Sequence, residues 1–511
     1  YIKEVIRNND TTTVNSTSFD SSVGGGFSAT KIGNNLRVTA DARISVNRGS
    51  HEYWVNADND ASRQRPDDKD WCPADWGPDG ENKGVIDLSK YDFQNETTNN
   101  PMITANCYVI RHAGTYRIPL VYGNAIDFSK NPSNGTNTPS YKPTMASGGN
   151  ASYFLGRFKN SANANITSPF IENNTGQTAN NVIILWQDEA DAIQVDDYPI
   201  SYVPKSTPLY TIDNVRYIQF TVPQSKICQN NALIAVTDAV GTVLWSWHIW
   251  ITNDPGLLKP AIPVKNQANN IYNFFPLPCL GWIEEDVYPA RDSIQIVLEQ
   301  RRNGDVPKNT ITLTVHQPDI YSGNPNGCYY QFGRKDPMCR KDTPAYNSDR
   351  PFNKGGDGKV SLATAIQHPE VFYNYGGSGK NDWCQSEYYN LWSGGYCGTG
   401  LIESTQDGLS KTVYDPSPRG YMMPASNAFT GFTSTGSNTS TRSQFNVVDS
   451  SADSFTQNKG WNFYTEPNGS SGTPAIFFPA AGYRDYSNGT RGNVGNHGNY
   501  WSAVPYSTYY G

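Results

Sequence analysis

Charge is scarce in this chain of 511 residues: Asp, Glu, Lys and Arg together make up 17%, and no run of basic side chains stands among them. With a formal net charge of −7 there is no electrostatic footprint for nucleic acid or an anionic lipid surface, so neither partner is expected. No apolar stretch approaches the ~18–20 residues that cross a bilayer, which predicts no membrane span in this chain. Signal-peptide and lipidation patterns are lacking, yet the chain opens at Tyr1 without an initiator methionine, and residues 506–511 alternate like an unfinished strand. Both ends read as processed or incomplete.

Catalytic signatures are equally sparse. The histidines, His51, His112, His248, His316, His368 and His497, are scattered with no pair at i and i+4. There is no HExxH, no GxSxG elbow, no CxxC, and no GxGxxG between a strand and a helix. The acidic runs Glu284-Glu285-Asp286 and Asp188-Glu189 read as solvated turns. The expectation is a protein that is not an enzyme and uses no metal or cofactor.

What the chain does have is turn formers and aromatic rings: 45 glycines, 33 prolines and 32 tyrosines, with aromatics at 13%. That balance describes β-sheets carrying long aromatic-decorated loops. The densest signal is Leu244-Trp245-Ser246-Trp247-His248-Ile249-Trp250-Ile251. Under strand alternation Trp245 and Trp247 share one face, and Trp250 lies on the other with Ser246 and His248. A strand bulky on both faces belongs inside a layered β-structure, and Asn253-Asp254-Pro255 ends it because proline cannot continue the ladder.

Four consecutive segments are expected. Residues 1–98 form a β-rich segment with weak alternation at 36–40 and 43–46 and a long polar loop at 58–83. Residues 99–256 form a β-sandwich, with strands at 105–111, 114–121, 181–187, 215–222, 232–237 and 243–252 at a spacing that suits an immunoglobulin-like domain. Residues 257–320 supply a small β unit pairing 293–298 with 310–315 around Asn303-Gly304-Asp305. Residues 321–511 are rich in Gly, Tyr, Ser and Asn, with one helix near 361–368 ended by Pro369, as in a loop-built recognition domain. Of the eight cysteines, Cys328 with Cys339 and Cys384 with Cys397 have spacings that suit two loop-stapling disulfides in an oxidising, exported setting. Buried free thiols are the alternative, and Cys107 reads as a strand-core cysteine.

Several stretches resemble surface proteins of gut Bacteroidetes. Residues 104–111 (TANCYVIR), 114–125 (GTYRIPLVYGNA), 235–239 and 244–255 are similar to a β-sandwich domain of fimbrillin-like proteins. Residues 329–338 (YYQFGRKDPM), 414–428 (YDPSPRGYMMPASNA), 477–484 (FFPAAGYR) and 498–502 (GNYWS) resemble the major paralogous domain named after Fibrobacter. The resemblance spans about residues 100–505, and residues 1–98 match nothing. It implies an exported cell-surface protein, a lipoprotein or a fimbrial tip or accessory subunit, whose C-terminal domain has a C-type-lectin-like α+β fold. Such domains continue past the Tyr-Trp-Ser element, whereas this chain stops at Gly511.

The candidate recognition residues lie near the C-terminal end. Trp383, Tyr388, Tyr389, Trp392 and Tyr396, bracketed by Cys384 and Cys397, can stack on sugar faces or protein side chains, or can pack a local core. Asn493, Asn496, His497 and Asn499 sit in a glycine-paced loop and can present amides or an imidazole to a ligand. Arg484 and Asp485 read as a structural ion pair. Glu466-Pro467-Asn468 matches a sugar-binding tripeptide of calcium-dependent lectins but falls in turn chemistry, so an ordinary loop is expected. The expected function is an adhesin binding glycan or surface protein. The alternatives are a filament subunit joined to other subunits by strand donation, and a surface lipoprotein that captures glycans.

Overall fold

The computed structural model describes residues 2–7, 10–13, 22–23, 27–32, 35–40, 81–146, 150–188, 193, 209–222, 230–252, 254–283, 286–288, 291–300, 309–317, 320–322, 326–341, 345–347, 349–374, 383–395 and 409–505. The protein is mostly β, built from several sheets. No helix among the described residues is long and apolar enough to cross a membrane.

The chain forms two compact units, dividing it differently from the four consecutive segments expected. The first combines Tyr1–Trp71 with Glu284–Asn324, and the second combines Cys72–Ile283 with Pro325–Gly511. In the first, strand Ile2–Arg7 is flanked by Asp10–Thr13 and by Arg291–Gln300, which pairs in turn with Asn309–Gln317. The expected pairing of 293–298 with 310–315 is present, Ile294 facing Val315 and Leu298 facing Ile311. Its connection at 303–305 lies outside the described residues, as do 43–46 and nearly all of the 58–83 loop. The excursion from the second unit closes on itself, because Ile283 and Asn326 exchange backbone hydrogen bonds of 2.9 and 3.1 Å. An insertion whose two ends are held together disturbs its host little.

The second unit contains two mixed sheets. One has the order Ala345–Tyr346, Asn181–Gln187, Asn230–Thr237, Val243–Ile251, Cys107–Ile110, the last pair parallel. The other runs Leu209–Ile212, Val215–Val222, Ala113–Pro119, Glu81–Asp87, again parallel at its end. Asp213 and Asn214 join the first two strands of this sheet with positive φ at both positions, the geometry of a two-residue hairpin turn. Ile184, Val236 and Trp247 from one sheet and Tyr116, Ile118 and Phe220 from the other share a single core.

The tryptophan strand explains why the second unit is larger than a sandwich. All nine residues of Val243–Ile251 are buried. Trp245 meets Tyr122 edge-on at 4.9 Å and donates its indole N–H to Asn106 Oδ1 at 3.1 Å. On the opposite face Ser246 donates to Asp336 at 2.7 Å and Trp250 donates to the Trp282 carbonyl at 3.2 Å. Leu185, Leu233, Val243 and Cys339 form a second cluster. A sheet with bulky residues on both faces needs a cover on each side, and residues 326–341 supply the second one. That physical requirement merges 99–256 and 325–511 into one body.

Ion pairs fasten this cover. Lys335 and Asp336 pair at 2.6 Å, both buried, with the Lys335 ammonium 4.4 Å above the Trp245 ring. Burial lowers the Lys335 amine to about 8 against the opposing pull of Asp336. Asp188 is buried and accepts from Arg340 at 3.1 Å, so the solvated turn expected there is instead an anchor for the 334–340 loop. The expected helix is present as Leu362–Gln367, with Ser361 accepting from Thr364 N–H at 3.1 Å as its N-cap.

The two inner tryptophans differ in what their ring nitrogens meet. Trp247 Nε1 is buried without a hydrogen-bond partner, whereas Trp245 Nε1 is the donor that satisfies Asn106 Oδ1. Trp245→Phe therefore leaves a buried carbonyl oxygen unpaired and should cost about 1–3 kcal/mol more than Trp247→Phe. Urea denaturation of both variants measures the difference, and equal losses contradict it.

Candidate functional site

One large concavity stands out among the described residues, a cavity of about 790 Å³ in the second unit. Its walls come from strand Ile271–Phe274 and the turn after it, from residues 327–332, from 417–425, and from 476–486 and 499–501. The stretches 329–338, 414–428, 477–484 and 498–502 all contribute lining residues.

The wall is aromatic, and both members of the doublets Phe274-Phe275, Tyr329-Tyr330 and Tyr500-Trp501 line it. Phe275 meets Tyr421 edge-on at 4.7 Å, and Phe478 meets Tyr500 at 4.9 Å. Trp383, expected on a recognition surface, is buried in the cavity wall and donates to the Phe332 carbonyl at 2.7 Å. Trp501 donates to the Tyr330 carbonyl at 2.9 Å while its ring stays partly exposed.

The rest of the expected aromatic set is not a surface. Trp392 is fully buried and donates to the Tyr414 carbonyl at 3.0 Å. Tyr389 stacks on Tyr153 at 4.2 Å, and Tyr388 is half-buried against the core. Their bulk fills the interior of a region with few regular strands, so packing wins over display. Tyr396 lies outside the described residues. Of the loop residues, Asn493, Asn496, His497 and Asn499 are all exposed. Asn499 lines the cavity, and Asn493 donates to the hydroxyl of Tyr483, which also lines it, at 3.1 Å. Asn493 Nδ2 also lies 3.3 Å from His497 Nδ1, whereas Asn496 contributes its backbone N–H to a turn. Trp383 and Asn499, from the two expected sets, thus line one cavity.

Arg484 does not pair with Asp485. Its guanidinium donates to the carbonyls of Gly489 at 2.7 Å and Lys341 at 3.0 Å and to that of Cys339, and it lies 5.5 Å from the Tyr329 ring centroid. Asp485 instead accepts from the Ser487 hydroxyl and from the Ser487 N–H at 2.8 Å, which together hold its carboxyl below the usual range. The tripeptide at 466–468 is a turn, with Gly469 N–H donating to the Glu466 carbonyl at 3.2 Å and Asn468 at positive φ.

Behind the cavity lies a buried polar relay. Asn231 Nδ2 donates to Asp188 at 2.9 Å and to the Gly281 carbonyl at 3.0 Å, which leaves its Oδ1 as an acceptor. His248 Nε2, 2.9 Å from that oxygen, therefore carries the hydrogen. Its Nδ1 is free to accept from the Tyr330 hydroxyl at 3.4 Å. Both ring nitrogens are thus satisfied in the neutral state, and burial lowers the imidazole from 6.5 to about 3.

Cysteines occupy the same wall, but not as the expected staple. Cys328 and Cys339 are unbridged; Cys339 Sγ donates to Asp188 at 3.0 Å, and Cys328 Sγ lies 3.9 Å from His248. Cys107 and Cys279 are thiols as well. Burial raises Cys279 to about 12 and both Cys328 and Cys339 well above their ordinary value, so all three are protonated. Close backbone approach makes room for them: a Cβ on Gly281, at φ +69°, would sit 2.6 Å from Cys328 Sγ, and one on Gly327 would sit 2.5 Å from Cys279 Sγ. Cys384 is buried, and Cys397 lies outside the described residues.

No protein family, no curated protein and no solved structure matches the chain.

Two outcomes follow from this geometry. Between pH 6.5 and about 3 the unfolded chain protonates His248 and the folded protein does not, so stability present above pH 6.5 is lost progressively as pH falls through that window. Urea midpoints should show this slope, and His248→Gln should flatten it only partly, since His112 is shifted in the same direction. Non-reducing peptide mapping after alkylation in denaturant should recover Cys328 and Cys339 as separately alkylated peptides; a cross-linked 328–339 peptide overturns the assignment.

Proposed function

We propose that this is an exported cell-surface binding protein of the adhesin or capture type, which engages its ligand in the aromatic cavity of the second unit. The observation that carries this reading is the cavity itself. A concavity of about 790 Å³, walled by rings from five separated stretches, falls within the ~300–1,000 Å³ typical of ligand sites. Rings held by hydrogen bonds to backbone carbonyls are pre-organised, so little entropy is lost when a ligand docks against them.

The same reading assigns finer fold roles. The two sheets with a common core act as an immunoglobulin-like scaffold, and the loop-rich part built on them acts as the lectin-like recognition element. Its support is the resemblance of 329–338, 414–428, 477–484 and 498–502 together with their meeting at one cavity. An enclosed, aromatic-walled space suits capture of a ligand better than strand exchange between filament subunits, which calls for an open sheet edge.

The test is a binding screen of the whole protein against glycans, matrix proteins and hydrophobic small molecules, read by calorimetry. A ligand should emerge whose affinity drops at least tenfold in Trp501→Ala and Tyr483→Ala, with the fold checked by urea midpoint. A ligand bound equally well by both variants would place recognition elsewhere and overturn the reading.

A further inference from the structure

We propose that the cavity takes a neutral, mainly apolar small molecule with one polar end, rather than a bare sugar. This rests on the cavity being the binding site, and deepens that reading by naming the chemistry it selects.

The first ground is that the polar groups of six wall residues are already engaged. The hydroxyls of Tyr272, Tyr329 and Tyr500 donate to Asn427 Oδ1, the Ala481 carbonyl and the Pro479 carbonyl at 2.6, 2.6 and 2.5 Å. The indoles of Trp383 and Trp501 and the guanidinium of Arg484 are likewise held by backbone carbonyls. What these residues turn toward a ligand is ring surface. A sugar brings several hydroxyls, each costing about 1–3 kcal/mol when buried without a partner. One aromatic contact returns only about 0.5–1.5 kcal/mol beyond area burial.

Charge points the same way. No Asp, Glu, Lys or His lines the cavity among the described residues, and Arg484 is its sole charged side chain. The thiols of Cys279 and Cys328 on the wall are neutral, and they add soft apolar surface. Three of the chain's five methionines, Met338, Met422 and Met423, line it too. Unbranched, polarisable thioethers conform to apolar ligands of varied shape.

The rim supplies the third ground. Ile271, Met422, Tyr486 and Trp501 are 63%, 36%, 54% and 37% exposed, and they are four of the nine large apolar side chains exposed among the described residues. Apolar surface gathered at one mouth marks a site that a ligand covers. The polar side chains Asn273 and Asn499 are exposed on the same lining, where a ligand's polar end would meet both amide and water. A space of about 790 Å³ exceeds any single amino-acid side chain, so a compact ring system or an acyl chain is the fitting body.

The experiment titrates N-phenyl-1-naphthylamine, an uncharged aromatic amine that fluoresces in apolar surroundings, into the full chain, with hexadecanol and maltotriose as competitors. The expected result is saturable single-site binding in the micromolar range, unaffected by maltotriose. Ile271→Asp and Met422→Asp, both at exposed positions, should weaken it at least tenfold with unchanged urea midpoints. Displacement by hexadecanol assigns an acyl chain, and its failure to displace a bound probe assigns a ring system. If maltotriose binds in a rim-dependent way, or displaces the probe, the cavity remains the site and the apolar class is wrong. If neither probe nor sugar binds, or the rim variants leave binding unchanged, both readings fall.

Discussion

The second unit depends on the double-sided burial of strand Val243–Ile251. Trp245 and Trp247 face one layer, and Ser246, His248 and Trp250 face another, so neither surface of the sheet tolerates water. Burying a large aromatic side chain removes roughly 150–250 Å² from solvent. That gain is realised only if both covers are in place. The opposing sheet is one cover. The other is irregular chain, 326–341, which has no ladder of its own across most of its length and is held by side-chain bonds to the sheet: Lys335 and Asp336 to Ser246, and Arg340 and Cys339 to Asp188.

The aromatic cavity is a by-product of that arrangement. Loops laid over a sheet leave gaps where they meet, and here both members of the doublets Phe274-Phe275, Tyr329-Tyr330 and Tyr500-Trp501 line the gap. Tyr330 illustrates the coupling: it lines the cavity, and its hydroxyl faces His248 on the tryptophan strand. A change in the relay of Asp188, Asn231 and His248 would therefore be felt at the wall, although none of the three lines it. The neutral imidazole and the protonated thiols have one cause, the cost of charge in a dry interior.

Local signals in the sequence were legible where a segment's own pattern decides its state. The strands at 181–187 and 215–222 match their observed limits, and the Ser361 cap and Pro369 stop bracket the helix as expected. Long-range partners were not. Nothing in the stretch 293–298 announces that it pairs with Ile2–Arg7, and nothing around Asp188 announces Arg340. The expected Cys328–Cys339 staple failed for a related reason. Spacing of eleven is permissive, but Cys339 turns to Asp188 and Cys328 toward His248, and spacing carries no direction. At the site, local pattern marks Trp383 and Asn499, whereas it does not mark Tyr272, Phe275, Met422 and Phe478. Their common signal, adjacent bulky residues in turn-rich chain, is present in the sequence but does not say which pairs meet at one space.

By itself the sequence determined that this is a β-protein with one strand too bulky to face water on either side, because alternation and side-chain size are properties of the segment alone. Only the tertiary structure decided that the two largest segments share one core, that the aromatic cluster near 389–392 is interior, and that rings from distant loops enclose a common space. Those outcomes turn on which buried surface meets which, and burial is a relation between segments that no single stretch encodes.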